Sequence, residues 1–355
     1  MRDVKQIGLP CIMYGDIYVK YDTHFKKCNY HIDSVIAKNS VKASPQDLFF
    51  TASGETADDI GRCVSYQGED DIYIGGDIIA LHPSNEYDSL FLAYVQNSEN
   101  VKRQKASFAQ GHSVVHISVE TIKKTRFALP KYPEQRRIAE ALSDVDELIA
   151  SLEKLIEKKK ALKQGVMQEL LTGKRRLPGF TGEWITSNQL FEVVKGEQIN
   201  GSELQEDLPY PLYNGGVSAS GYTLDYNYEN RVIISEGGNS CGYINYIKTK
   251  FWAGGHCYVV VNAKVLNDYL YQLLKLHETN IMALRVGSGL PNIQKEELKK
   301  LRFSYPKETE EQQAIVKILY DIDLGIRRLT DKLDKVHKIK SGMMSELLTG
   351  RIRLV

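Results

Sequence analysis

Two stretches half a chain apart read almost alike: VMQELLTGKRRL at 166–177 and MMSELLTGRIRL at 343–354. The likeness extends upstream. At an offset of 177, residues 134–177 and 311–354 agree at 19 of 44 positions, among them Glu134/Glu311, Gln135/Gln312, Ile138/Ile315, Asp144/Asp321, Asp146/Asp323 and Gly165/Gly342. Further upstream the offset slips to 176, where IKKTRFALP (122–130) answers LKKLRFSYP (298–306). A chain of 355 residues that repeats itself at half its length is a duplicated unit, and it is long enough for two domains plus connections.

The repeated segments carry one apolar stripe each. In the first it runs through Ile138, Leu142, Val145, Ile149, Leu152 and Ile156 and, after Lys159, Leu162, Val166 and Leu170; in the second through Ile315, Leu319, Ile322, Ile326, Leu329, Leu333 and Val336, then Ile339, Met343 and Leu347. Steps alternating between three and four are the seam of a coiled coil. Pro133 suits the first turn of the first helix, and Thr309 with Gln312 suits a capping box before the second. Gly173 and Gly350 suit the left-handed position after each helix, with Lys174, Arg175, Arg176, Arg351 and Arg353 beside the carbonyl end. Each helix is expected to span about 38 residues, or roughly 57 Å. A helix that long with one apolar face needs a partner, and its duplicate is the obvious one. If the termini of the intervening domain lie close together, the pair runs antiparallel.

The globular halves differ in detail and share a skeleton. DLFFTASGET (47–56) answers RVIISEGGNS (231–240), YIGGDIIAL (73–81) answers WAGGHCYVV (252–260), and AQGHSVVHI (109–117) answers VGSGLPNI (286–293), with His116 opposite Asn292. Each is a strand opening into a small polar loop with glycine. The expected fold class is therefore α+β, with an internal pseudo-two-fold repeat and these boundaries: a first domain at 1–130, a helix at 131–177, a second domain at 178–305 and a helix at 306–355. About 26 residues separate Trp184 from Pro211, whereas Pro10 comes almost at once. The first domain is expected to lack its opening strand and helix.

Composition bounds the function. No apolar run reaches the length of a membrane span, and MRDVKQIGLPCIMYGD lacks the apolar core of a signal peptide, so a cytoplasmic location is expected. Cys11, Cys28, Cys63, Cys241 and Cys257 have no metal-binding spacing and read as buried free thiols. Forty-six Lys and Arg against 45 Asp and Glu leave a net charge of +1, too balanced for a protein that grips nucleic acid by bulk charge. A local basic face, or a share of the work taken by a partner, would still permit it. No phosphate loop, nucleophile elbow, zinc-protease motif, dinucleotide fingerprint or N-P-P-Y-like run is present, and the eight histidines are scattered. Asp77 reads as a loop or cap residue.

The segments LPKYPEQRRIAEALSDVDELIASLEKLIEKKKALKQGVMQELLTG (129–173) and YPKETEEQQAIVKILYDIDLGIRRLTDKLDKVHKIKSGMMSELLTG (305–350) resemble the spacer regions of the specificity (S) subunit of type I restriction–modification systems. YGDIY (14–18), SGET (53–56) and Trp184 after FTGE add to the likeness, which covers nearly the whole chain. The resemblance implies two target recognition domains, each reading half of a bipartite and asymmetric DNA site, joined by an antiparallel coiled coil. It implies docking of methyltransferase (M) subunits, two of them, and of restriction (R) subunits. S-adenosylmethionine, ATP and Mg²⁺ would then belong to those partners, with no cofactor or metal held by this chain. Two other classes stay open on the residues alone: a non-catalytic scaffold with two protein-binding modules, and a stand-alone DNA-modifying enzyme, which the missing motifs disfavour.

Residue types that can address base edges or phosphates single out Tyr14, Asp16, Thr51, Ser53, Glu55, Thr56, His112 and Ser113 in the first domain. In the second they single out Asn214, Glu236, Asn239, Ser240, Ser288 and Asn292. Lys102, Arg103 and Lys105 read as phosphate contacts.

Overall fold

Two helices of 39 residues, Tyr132–Leu170 and Thr309–Leu347, thread through both units into which the chain divides. Unit 1 comprises 1–153 with 331–355, and unit 2 comprises 154–330. The computed structural model describes residues 8–109, 114–199, 207–287 and 289–354. Most positions expected on the apolar stripes are buried or half-buried, but Leu162 and Ile339 are 55% and 56% exposed. Ile138, Leu142, Ile149, Leu152, Ile156, Ile315, Leu319 and Val336 are buried, and Val145, Ile322, Ile326, Leu329 and Leu333 are half-buried. Gly173 and Gly350 adopt φ of 72° and 74°, the left-handed conformation that ends a helix at little cost only for glycine.

Within each unit the helical segments run antiparallel, and the repeat appears as repeated bonds. In unit 1, Glu134 meets Arg353 at 2.6 Å and Asp146 meets Lys340 at 2.7 Å. In unit 2, Arg176 meets Glu311 at 2.6 Å and Lys163 meets Asp323 at 2.8 Å. As numbering climbs along one segment it falls along the other, and each pair has its image at the offset of the repeat. Gln135 and Gln312 are matched too. Gln135 accepts from the Asp88 amide and donates to the Pro130 carbonyl; Gln312 accepts from the Leu266 amide and donates to the Pro306 carbonyl. The expected capping box is therefore not formed. Thr309 is already helical, and Gln312 bonds the globular part instead.

In unit 1 a four-stranded sheet orders Tyr30–Ile32, Leu9–Ile12, Ile72–Ile74 and Val41–Ala43, and a second orders His24–Phe25, Cys63–Tyr66, Leu48–Thr51 and Ile78–Leu81. Strand Leu48–Thr51 alternates its faces, as a pleated strand must. Phe49 packs with Ile12, Phe25, Val64 and Ile72, while Leu48 and Phe50 pack with Phe91, Tyr94, Ile138, Leu142, Leu347 and Leu348. In unit 2 one six-stranded sheet orders Glu192–Lys195, Cys257–Val261, Tyr228–Ser235, Ile244–Ala253, Tyr210–Tyr213 and Gly221–Thr223. Its core joins Val232 and Ile234 to helix Asn267–Leu276 and to Leu170, Leu171, Ile315 and Leu319. Strands Trp184–Ser187 and Glu192–Lys195 precede Tyr210–Tyr213; among the described residues, no strand precedes Leu9–Ile12. All five cysteines are free thiols, four of them buried.

Candidate nucleic-acid interface

In unit 1 the strand Leu48–Thr51 runs into Ser53–Gly54, which pairs with Val115–His116 so that Ser53 faces His116. Tyr14 and Tyr18 donate their hydroxyls to the Ser53 carbonyl at 2.6 and 3.0 Å, and Tyr18 also donates to Thr51 Oγ1 at 2.9 Å. Burial raises the Tyr18 hydroxyl well above the ordinary tyrosine range, so it remains a donor. Ser53 Oγ donates to Asp77 Oδ2 at 2.5 Å. Asp77 is exposed and sits at φ 64°, a left-handed conformation costing an ordinary residue about 1 kcal/mol.

Several expected contacts are corrected here. Asp16, Thr51 and Ser53 are 2%, 0% and 6% exposed, and each is used internally. Asp16 pairs with Lys20 at 2.9 Å, Thr51 accepts from Tyr18 and from the Arg62 amide, and Ser53 positions Asp77. Lys105 is fully buried; its ammonium donates to the Gly61 carbonyl and lies 6.0 Å from the Phe50 ring, so it reaches no phosphate. Tyr14 is half-buried, its hydroxyl taken by Ser53. Glu55 and Thr56 are exposed. Lys102 and Arg103 line a cleft of about 870 Å³ with Arg62, His337 and Lys340, and Arg103 is paired to Glu99 at 3.0 Å. His112 and Ser113 lie outside the described residues, as does Ser288.

Unit 2 gathers more of its expected residues. Asn214, Glu236 and Asn292 line one recess of about 460 Å³ with Lys195, Gly237, Gly238 and His256. The Glu236 carboxylate takes Lys195 Nζ at 2.8 Å and the Tyr258 hydroxyl at 3.3 Å, with His256 Nδ1 at 3.8 Å. Asn214 Oδ1 accepts from the His256 amide at 3.1 Å. Asn239 is exposed, whereas Ser240 is half-buried and donates to the Gly215 carbonyl. His256 and Lys195 border this recess and Asp77 takes the Ser53 hydroxyl, and none of the three is among the base- or phosphate-addressing residues singled out from the sequence. The signal was the alignment of YIGGDIIAL with WAGGHCYVV, which sets Asp77 opposite His256.

Among the described residues no cluster of three or more His, Cys, Asp or Glu could hold a metal ion, and no helix is long and apolar enough to cross a membrane. The two α+β units, each carrying a polar rim and an antiparallel pair of helical segments, repeat one architecture. The chain matches the family described as Type I restriction modification DNA specificity domain over residues 12–164 and 183–338, and it belongs to that family. A protein described as the type I restriction enzyme MjaX specificity subunit of Methanocaldococcus jannaschii is 26% identical over 326 residues, spanning 83% of this chain and 76% of that one. The type I specificity subunit S.MpnORF638P of Mycoplasma pneumoniae is 32% identical over 168 residues, 46% of this chain and 44% of that one; the match thus spans under half of that relative's length. The fold is similar to the crystal structure of the type I restriction–modification S subunit from M. genitalium, at TM-score 0.60 and 18% identity over 93% of this chain and 88% of that one. It is likewise similar to a chain from a structural study of complex assembly in the type I system, at TM-score 0.58 and 15% identity over 97% and 92%. The chain thus carries the type I DNA specificity domain twice.

Proposed function

We propose that this chain selects a bipartite, asymmetric DNA site for a type I restriction–modification complex, one half-site read by each unit. The observation that carries this reading is a shared backbone frame with different side chains on its rim. Three hydrogen bonds recur. Gly75 N donates to Ile12 O as Gly254 N does to Tyr213 O; Ala52 N donates to Asp77 O as Glu236 N does to His256 O; and Ile117 N donates to Ala52 O as Ile293 N does to Glu236 O. A common frame with unlike rims suits two related readers of unlike sequences, and a site made of two unlike halves is asymmetric.

The partners follow from the same reading. Two methyltransferase subunits and the restriction subunits dock on the chain, and S-adenosylmethionine, ATP and Mg²⁺ are held by them, in the cytoplasm. Leu155 and Leu162, 41% and 55% exposed and seven residues apart on the first long helix, support docking on a helical face. The test is co-expression with a type I methyltransferase subunit, then mapping of N6-methyladenine across the host DNA. Methylation at two short defined blocks around a fixed gap is the expected result. A stable complex that leaves DNA unmethylated would favour the scaffold with two protein-binding modules.

A further inference from the structure

The recurring frame permits a residue-by-residue comparison of the two rims, and its backbone bonds agree with the alignment of the sequence segments. The three shared bonds set Ile12 beside Tyr213, Ala52 beside Glu236, Asp77 beside His256 and Ile117 beside Ile293. The bridges agree, since Ser53 pairs with His116 as Gly237 pairs with Asn292. The parallel pairing agrees as well, with Ile12 against Ile74 in one unit and Tyr213 against Ala253 in the other. One step further along the chain, Met13 stands where Asn214 stands. Four rim positions are therefore equivalent: Met13/Asn214, Ala52/Glu236, Asp77/His256 and His116/Asn292. Each rim carries a carboxylate and a histidine, but at different positions of the shared frame. In unit 1 the carboxylate is at the Asp77 position and the histidine at 116; in unit 2 the carboxylate is at the position of Ala52 and the histidine at that of Asp77.

A carboxylate facing DNA is costly, because the phosphates repel it and burial strips its water. The cost is met only where a hydrogen-bond donor on the nucleic acid reaches it. Bases offer such donors in the major groove through one kind of group, the exocyclic amine of cytosine N4 or adenine N6. Both carboxylates are held in place. Asp77 is fixed by Ser53 Oγ at 2.5 Å and by its left-handed backbone, and Glu236 by Lys195 and Tyr258 at 2.8 and 3.3 Å. Neither set of contacts uses every acceptor site of the carboxylate. Glu236 borders an open recess and Asp77 is exposed.

From this geometry we infer that Asp77 and Glu236 are the specificity-determining acceptors of the two units, each demanding an amino-bearing base in its own half-site. His116, His256, Asn214 and Asn292 read the flanking edges. This assignment rests on the sequence-reading role proposed above. It also assigns work to Asp77, His116 and His256, and it removes Thr51 and Ser53 from base contact.

The test is selection of bound duplexes from a random-sequence library by the complex purified with its co-purifying subunits, for the parent chain and for Asp77→Asn and Glu236→Gln. Each substitution keeps size and shape but adds donors where only acceptors stood. Asp77→Asn is expected to lower enrichment for an amino-bearing base at one or two positions of one block by about 10- to 100-fold, leaving the other block unchanged. Glu236→Gln is expected to do the converse. Lys195→Gln, which frees one Glu236 acceptor site, should retain the base preference while lowering affinity for all sequences. A uniform loss of affinity with unchanged base preference, or a change in both blocks from one substitution, overturns the assignment. A parent complex that selects no sequence overturns instead the reading on which the assignment rests. Thermal melting of each variant separates misfolding from altered recognition.

Discussion

Lys105 shows how a residue's chemistry can be inverted by its place in the fold. In ENVKRQKASF it reads as one more cation on a polar helix, yet Val101 and Lys105 lie four residues apart and both face the core. The apolar spacing was present in the sequence, but a charged residue masked it. Burial lowers the lysine from its ordinary 10.5 to about 8, helped by the nearby charge of Lys102 and opposed by Cys63 and Asp59, which favour the charged form. Below about pH 8 the folded and unfolded chains both hold the proton, and the cost of burying the charge is fully present. Between about 8 and 10.5 the unfolded chain binds more proton than the folded one, so stability rises with pH. The full gain is of order 3 kcal/mol. Replacing Lys105 with Met removes this slope. Urea unfolding midpoints at pH 7.5, 8.5 and 9.5, about one unit apart across the window, should climb for the parent relative to Lys105→Met. Parallel lines for the two proteins would mean that the amine does not titrate there.

Helices and strands differ in how plainly the chain announces them. The long helices were legible because their pattern is local: one apolar step every three or four residues, and a glycine where the turn must become left-handed. The contacts that fasten each helix to its domain were not legible, because Gln312 meets Leu266 across 46 residues of intervening chain. Sequence suggested a cap there, and the structure spends the same side chain on a distant amide. A clasp that reaches the second long helix and an ion pair within the first allow a comparison of buried and exposed pairs. The Glu311 side chain is 1% exposed and holds Arg176 through two bonds of 2.6 and 2.7 Å. Glu140 pairs with Arg136 at 3.1 Å, with side chains 63% and 56% exposed. Glu311→Ala should destabilise by about 2 kcal/mol, the value of hydrogen bonds to charged groups lost from a buried site. Glu140→Ala should change stability by less than about 0.5 kcal/mol, since solvent and side-chain entropy already offset that pair. Denaturant melts followed by circular dichroism would order the two, and equal effects would contradict the burial argument.

At the scale of the whole molecule, duplication was the most legible property, because the helical repeats preserve identity where the rims do not. The shared frame of the rims lies in backbone bonds, which any side chain can satisfy; hence Ala52 and Glu236 occupy one position with no likeness in sequence. Under the proposed function, the helices set the gap between half-sites, and their length is a quantity that can be changed. A seven-residue insertion after Glu153, matched by one after Thr330, preserves the heptad seam and adds about 10.5 Å. At roughly 3.4 Å per base pair this is about three base pairs of duplex. Those three pairs also turn the duplex by roughly 100°, since about 10.5 pairs complete a turn, whereas a heptad returns a helix to within about 20° of its starting face. The lengthened chain must therefore find its second half-site on a rotated face, and twisting DNA to present it costs free energy. The expected methylation motif keeps both blocks, widens its gap by about three bases and is methylated less completely than the parent motif. An unchanged gap would show that something other than helix length measures the distance, and methylation at a single block would show that the two readers had been uncoupled.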